Sequence, residues 1–440
     1  MTTQIFVASG LRGTALLAAA LDSGCFDESR RRVLLLCDTT AVPEAAAPVA
    51  ADPGFGRLRA RFDEVRSWND AVFPLHPAAW SPRPDDVPLW ERHLRRAWDL
   101  GDEEVELALE SPHTGPSRAL AQVFTGGPVT VYTDGLTGYG PTPGKVPPLI
   151  GTRVRQLLHP DLLPGLKPLL LGEFGVPPRA VPTNALRKVF GEMADAAAGT
   201  GAPEGCALLL LPETGTLPVA EEAELRLRMV RGTAALGHTR LVVVPHPRGS
   251  DPVRPALRAE AARLGASLAV PEPGPAEVLL ERLRPALVVG CSSTALVAAA
   301  THHGLPVART GTGTLLANLT PYENPARVPA TIVDALLPGL AGPEDVPAGS
   351  PVTAATVAEA LDGLLPAVAF AMQPRVRPDL RPAAERYLSE RLDARTWRYF
   401  RRRRLGSLAL PGVVPARLAF VRRSPALRRL ARRARALGRR

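Results

Sequence analysis

Residues 286–300 read Ala286-Leu287-Val288-Val289-Gly290-Cys291-Ser292-Ser293-Thr294-Ala295-Leu296-Val297-Ala298-Ala299-Ala300, and this stretch decides the fold. Residues 286–289 form a short, uninterrupted apolar run, the pattern of a strand covered on both faces. Residues 293–302 follow as a helix, and Ser292, Ser293 and Thr294 occupy the positions that N-caps favour. A strand that runs straight into a helix predicts a parallel β-α unit. The same alternation extends upstream. Strands are predicted at 207–211, 241–244 and 267–270, with helices at 221–236, 255–264 and 277–283. The first half repeats it, with strands at 5–8, 33–37, 105–109 and 129–132 and helices at 14–21, 89–100 and 117–123. A Gly/Ala/Pro-rich stretch at 196–204 separates the two blocks. The expected fold class is therefore α/β, with two facing Rossmann-like domains over 1–198 and 199–330. A helical return segment is expected over 331–400, clearest at 353–372, and a basic amphipathic tail over 401–440.

Composition agrees with a large folded chain. Its 440 residues are 45% hydrophobic and 22% charged, enough for two ordinary domains. The net charge of +10 conceals a split. Residues 391–440 hold 17 of the 53 basic residues and one of the 43 acidic ones, Asp393. The body is mildly acidic and the tail strongly cationic, which points to an anionic partner for the tail. Cys25, Cys37, Cys206 and Cys291 show no metal-ligand or redox spacing and are expected to be buried thiols. No basic leader or cleavage site precedes residues 5–8, and no run of 18 apolar residues occurs, so a cytoplasmic protein without a spanning helix is expected.

Ligands of open parallel sheets bind outside the carboxyl ends of the strands. Three short motifs occupy such places. Tyr132-Thr133-Asp134-Gly135 follows the strand at 129–132, Pro245-His246-Pro247-Arg248 follows 241–244, and Gly290-Cys291-Ser292-Ser293-Thr294 follows 286–289. Alone, each has a plain structural reading as a turn, a structured histidine or a cap. One lies in the first block and two in the second, so all three are expected to face one cleft.

At these residues the chain resembles the bacterial sialyltransferase and polysialyltransferase families of GT-B fold. An acidic motif with Gly in the first domain marks them, with His-Pro and Ser-Ser or Ser-Thr motifs in the second. The resemblance covers roughly residues 1–330. It is closest to the alpha-2,8-polysialyltransferase-like proteins of actinobacteria, including the segment Asp85-Asp86-Val87-Pro88-Leu89-Trp90-Glu91-Arg92-His93-Leu94-Arg95-Arg96. One departure is Thr133, where the family pattern often has a second acid, which leaves Asp134 as the motif's sole carboxylate.

The resemblance implies an inverting transfer of a sialic-acid-like sugar from a CMP-sugar donor to a glycan hydroxyl. Asp134 is the expected general base. His246 is expected to protonate the leaving phosphate or to donate a hydrogen bond to it. Ser292, Ser293 and Thr294, with the helix N-terminus behind them, are expected to bind that phosphate. Gly135, Pro247 and Arg248 are possible donor or acceptor contacts, as are Glu110 at a strand end, Ser9 and Gly10 in the first strand-to-helix turn, and Glu213 and Glu272 after strands of the second block. His302 and His303 read as a helix cap or surface residues, and Trp68, Trp80, Trp90 and Trp98 as packing. No Asp-x-Asp occurs, and neither a metal nor another cofactor is expected.

Two other classes remain open at the level of sequence. A UDP-sugar 2-epimerase-like enzyme of the same fold would also place His and Ser near nucleotide phosphates. A catalytically silent, membrane-associated glycan-binding protein would need neither. Arginine pairs alternating with Leu, Ala and Val through 401–440 are expected to lie on an anionic membrane surface, putting the protein at the inner face of the membrane. Binding to an anionic polymer and a solvated tail are the competing readings. Nucleic acid is not an expected partner, because no recognised module is present.

Overall fold

Apolar runs that alternate with helices bury both strand faces, and the chain builds two sheets this way. The computed structural model describes residues 2–45, 47–197, 205–212, 215, 217–245, 254–340 and 351–412. In the first sheet lie β1 (Thr2–Ala8), β2 (Arg31–Leu36), β3 (Glu64–Ser67), β4 (Glu104–Leu109), β5 (Val129–Tyr132), β6 (Val154–Pro160) and β7 (Pro178–Val181). They run parallel in the order β3-β2-β1-β4-β5-β6-β7. The second holds β8 (Ala207–Leu210), β9 (Arg240–Val244), β10 (Ser267–Ala269), β11 (Leu287–Gly290) and β12 (Val307–Arg309), parallel in the order β10-β9-β8-β11-β12. Both are Rossmann-like, and the pair is GT-B-like. Strand order reverses between β1 and β4 in one sheet and between β8 and β11 in the other. A crevice opens at such switch points.

Sequence reading missed four strands. β3 and β12 are short edge strands, β7 is an edge strand opening on Pro178, and β6 carries Arg155 and Gln156 inside its run. None presents the continuous apolar signal of its neighbours. The helical segment expected at 353–372 is built as two helices, Ala354–Leu361 and Leu364–Met372, bent by 45°. A Cβ on Gly363 at the break would lie 2.7 Å from Cδ2 of Tyr387, so the bend lets that ring pack against bare backbone. By length and composition this bent pair matches a broken membrane span, and among the described residues no single helix does. Val357 and Leu361 of the first helix and every residue but Pro366 of the second are buried in the core.

That core crosses the junction between the sheets. Leu136, Tyr139, Leu162 and Leu163 of the first half pack in one apolar cluster with residues of the second sheet and of the C-terminal helices. The return segment also reaches the first half by polar contacts. The Gln373 amide donates to the Pro143 carbonyl at 2.6 Å, and the Arg377 guanidinium to the Leu169 carbonyl at 2.7 Å. Trp68, Trp80, Trp90 and Trp98 form an edge-to-face cluster in the first domain, the geometry that aromatic quadrupoles favour. All four cysteines are free and buried.

The first turn of the basic tail is part of the body. Arg404 donates to the carbonyls of Ala371 and Met372 at 2.6 and 2.9 Å and pairs with Glu323 at 2.6 Å. Arg401 donates to the Ala317 carbonyl, and Leu405 and Leu410 are buried. An amphipathic face running unbroken from residue 401 is therefore not what the chain builds. Residues 413–440 lie outside the described residues.

Candidate active site

β5 ends at Tyr132, and the chain turns through Thr133, Asp134 and Gly135 into a short 3-10 turn, Leu136–Tyr139. The Thr133 amide donates to the Leu158 carbonyl at 3.0 Å, which holds the turn against β6. β11 ends at Gly290, and Ser293 caps the helix Thr294–Thr301 in extended conformation. The Ser293 side chain makes no hydrogen bond to the first-turn amides. These two strand ends meet. The Leu136 amide donates to Oγ1 of Thr294 at 3.3 Å, and a Cβ on Gly135 would stand 2.9 Å from that oxygen. Only glycine permits this approach without displacing one turn from the other.

The strand ends next to β5 belong to the first switch point. Ser9 and Gly10 follow β1, and the Ser9 amide donates to Oε2 of Glu110, which follows β4, at 3.2 Å. Tyr132 donates its hydroxyl to the Val7 carbonyl at 2.7 Å. Burial, and then the charges of Glu110 and Asp134, push its phenol far above the usual range. Gly13 makes room for this ring, since a Cβ there would lie 3.0 Å from the phenol oxygen. Ser111 and His113 form a hydrogen-bonded pair at 3.0 Å just beyond Glu110. Cys291, next to the hydroxyl run, is buried, and desolvation pushes its thiol up to about 12. It remains a protonated thiol at neutral pH.

Asp134 lines an open pocket of about 390 Å³ with Arg12, Arg187, Glu277, His302 and His303. Two ion pairs cross the junction here. Arg12 meets Glu277 at 3.0 Å, and Arg187 meets Glu281 at 2.8 Å. His302 reads from sequence as a cap or surface residue. It is the helix's C-cap, and its ring lines the pocket with Nε2 2.9 Å from the Asp161 carbonyl. Burial lowers the pKa of both histidines, that of His303 to about 4, so both are neutral at pH 7. A carbonyl partner requires the His302 proton on Nε2, leaving Nδ1 as acceptor.

Other candidates fall elsewhere. Glu272 lines a separate pocket of about 510 Å³ with Asp52, Met193 and Arg282, on residues flanking the helix Ala276–Leu283. There burial, and then the charge of Glu272, raise the Asp52 pKa against a lowering hydrogen bond from the Gly54 amide. Glu272 is thus not brought to Asp134. His246, Pro247, Arg248 and Glu213 lie outside the described residues. Among the described residues, no group of three or more His, Cys, Asp or Glu is arranged to hold a metal ion. Sequence reasoning passed over Arg12, Arg187 and Glu277, because charged residues on helices look solvated until a facing domain covers them.

The family model for alpha-2,8-polysialyltransferase (POLYST) matches residues 4–310. No curated protein gives a significant match. Among solved structures, the chain is similar to UDP-GlcNAc 2-epimerase from Neisseria meningitidis bound to UDP-GlcNAc, at 10% identity and a TM-score of 0.41, over 87% of this chain and 94% of that one. It is similar to Phytolacca americana UGT2 complexed with UDP-2fluoro-glucose and pterostilbene, at 14% identity and a TM-score of 0.40, over 93% and 99%. It is also similar to the E. coli ADP-heptose lps heptosyltransferase II, at 11% identity and a TM-score of 0.36, over 83% and 98%.

Proposed function

Because the chain belongs to the alpha-2,8-polysialyltransferase family, we propose that this glycosyltransferase moves a sialic-acid-like sugar from a CMP-sugar to a glycan hydroxyl, with inversion. The observation that carries the reading is the contact of the Asp134–Gly135 turn with Thr294. It brings the turn that carries Asp134 in one domain against Thr294 of the hydroxyl run in the other.

The chemistry follows from those groups. Asp134 takes the proton of the acceptor hydroxyl as its oxygen bonds to the anomeric carbon. The bond from that carbon to the phosphate oxygen breaks, and CMP departs with the electron pair. Negative charge grows on one phosphate, where Ser292, Ser293 and Thr294 offer hydroxyls and the helix Thr294–Thr301 offers free amides and the positive end of its dipole. Each donor aimed at developing charge is worth about 3 kcal/mol of transition-state stabilisation. His246 supplies a proton or hydrogen bond to the same phosphate, with Pro247 and Arg248 beside it. Ser9, Gly10 and Glu110 form the acceptor side of the cleft. No cofactor is required. Residues 413–440 contain ten arginines and no acid, and each arginine near an anionic leaflet adds about 1 kcal/mol. That supports a peripheral position at the inner face of the membrane.

Incubating the purified protein with CMP-sialic acid and a set of glycan acceptors tests the reading by mass spectrometry. The expected result is an acceptor heavier by one or more sialyl units, with CMP released in equal amount. Consumption of UDP-GlcNAc to its 2-epimer, with no sialyl transfer, would contradict it.

A further inference from the structure

Two arginines line the Asp134 pocket, and their ion pairs differ. Arg187 grips Glu281 with two aligned hydrogen bonds, at 2.8 and 3.2 Å. Such a fork-to-carboxylate arrangement is strong and commits the guanidinium. Arg12 is held less well. Its Nη2 lies 3.0 Å from Oε1 of Glu277, yet that oxygen is buried and accepts no hydrogen bond. The pair has proximity without alignment, and a buried carboxylate oxygen left unfilled carries a desolvation cost. The Arg12 side chain is 29% exposed against 6% for Glu277, so a solute in the pocket can reach the guanidinium. Arg12 also overlooks the base turn, with Nη1 3.9 Å from the place a Gly135 Cβ would take.

We propose that Arg12 is a specificity-determining residue that reads the carboxylate of an acidic sugar at the acceptor's reactive end, exchanging its interdomain contact with Glu277 for a bidentate one to substrate. This rests on the transferase reading above. The acceptor is favoured over the donor because Arg12 stands on the first domain beside Asp134, whereas the hydroxyl run that takes the donor phosphate stands on the second. Glu277 is then a competitor for Arg12. An acidic acceptor and the interdomain ion pair exclude one another, which couples acceptor binding to the contact between domains.

Calorimetric titration of the full-length protein with an oligosaccharide ending in sialic acid, and with its desialylated counterpart, tests the inference without requiring turnover. Arg12→Gln is expected to weaken the sialylated probe by about tenfold or more, the loss of a charge-assisted pair. It should leave the desialylated probe and CMP unchanged. Glu277→Gln, which removes the competitor and keeps the guanidinium, is expected to bind the sialylated probe more tightly than wild type. Equal weakening of both probes by Arg12→Gln, or matching losses in the two variants, would reduce Arg12 to a domain clamp and overturn the proposal. So would an Arg12→Gln protein that loses affinity for CMP-sialic acid alone, since the carboxylate read would then be the donor's. If instead wild type binds the sialylated probe through Arg12 but never transfers sugar, the transferase reading fails and the binding assignment stands.

Discussion

Asp134→Asn is expected to lower the turnover of sialyl transfer by about 10³-fold, the usual contribution of a positioned general base, with CMP affinity essentially unchanged. Asn keeps the shape of the side chain and removes only its basicity. Thr133 is a hydroxyl where the family pattern often has an acid, so no carboxylate within the motif can take over. Glu110 is the next acid along the sheet edge, but it accepts the Ser9 amide after β1. Initial-rate measurements at saturating donor and acceptor, paired with CMP titration, check this. Near-wild-type turnover in the variant would remove Asp134 from the chemistry. His246→Ala should show the same separation of turnover from CMP binding, because its expected work lies in stabilising the departing phosphate.

Asp334→Ala is expected to be the most destabilising single change away from the cleft. Asp334 is 2% exposed on the helix Arg327–Leu336. Its carboxylate accepts from Thr312 Oγ1 at 2.5 Å, from the Tyr399 hydroxyl at 2.9 Å and from Arg398 at 3.1 Å, and it meets Arg309 at 2.9 Å. These partners come from the end of β12, the following helix and the turn Thr396–Tyr399, so one buried charge ties the return segment to the second domain. Burial, and then the charge of Asp334, push the Tyr399 phenol above its usual range. Removing one member of such a network leaves the opposite charges uncompensated, at a cost of about 3–5 kcal/mol. Arg398 is 40% exposed and rehydrates, so the lower part of that range applies. A fall in Tm of roughly 10 °C follows for a domain of this size. Thermal unfolding followed by circular dichroism reads it. A Tm within about 2 °C of wild type would mean that the carboxylate holds nothing together.

Parts of this fold are legible in the sequence to unequal degrees. β8, β9 and β11 are strands whose apolar runs leave little choice, because a strand buried on both faces must be apolar along its length. β6 escapes the same reasoning. It lies between β5 and β7 yet carries Arg155 and Gln156, and Gln156 spends its amide on the Cys25 carbonyl and Thr130. The bend at Gly363 was illegible for a related reason. Helical periodicity continues through it, and only Tyr387, packed from a distant helix, makes bare backbone useful there. In the cleft, strand-end position and residue type point to the Asp134 turn and to Thr294, and the fold brings that turn against Thr294. The ion pairs of Arg12 and Arg187 join residues far apart in the chain, and local pattern carries no information about such pairs. His302 is a cap, as a helix end suggests, but its reach to the Asp161 carbonyl depends on the packing of one domain against the other.

The central claim is that the hydroxyl run after β11 receives the phosphate of a cytidine monophosphate donor. Titration of the wild-type protein with CMP, UDP and GDP in parallel measures this most directly. A CMP site there predicts saturable one-to-one binding of CMP, with UDP and GDP weaker by about tenfold or more. Tighter binding of UDP or GDP than of CMP would contradict it.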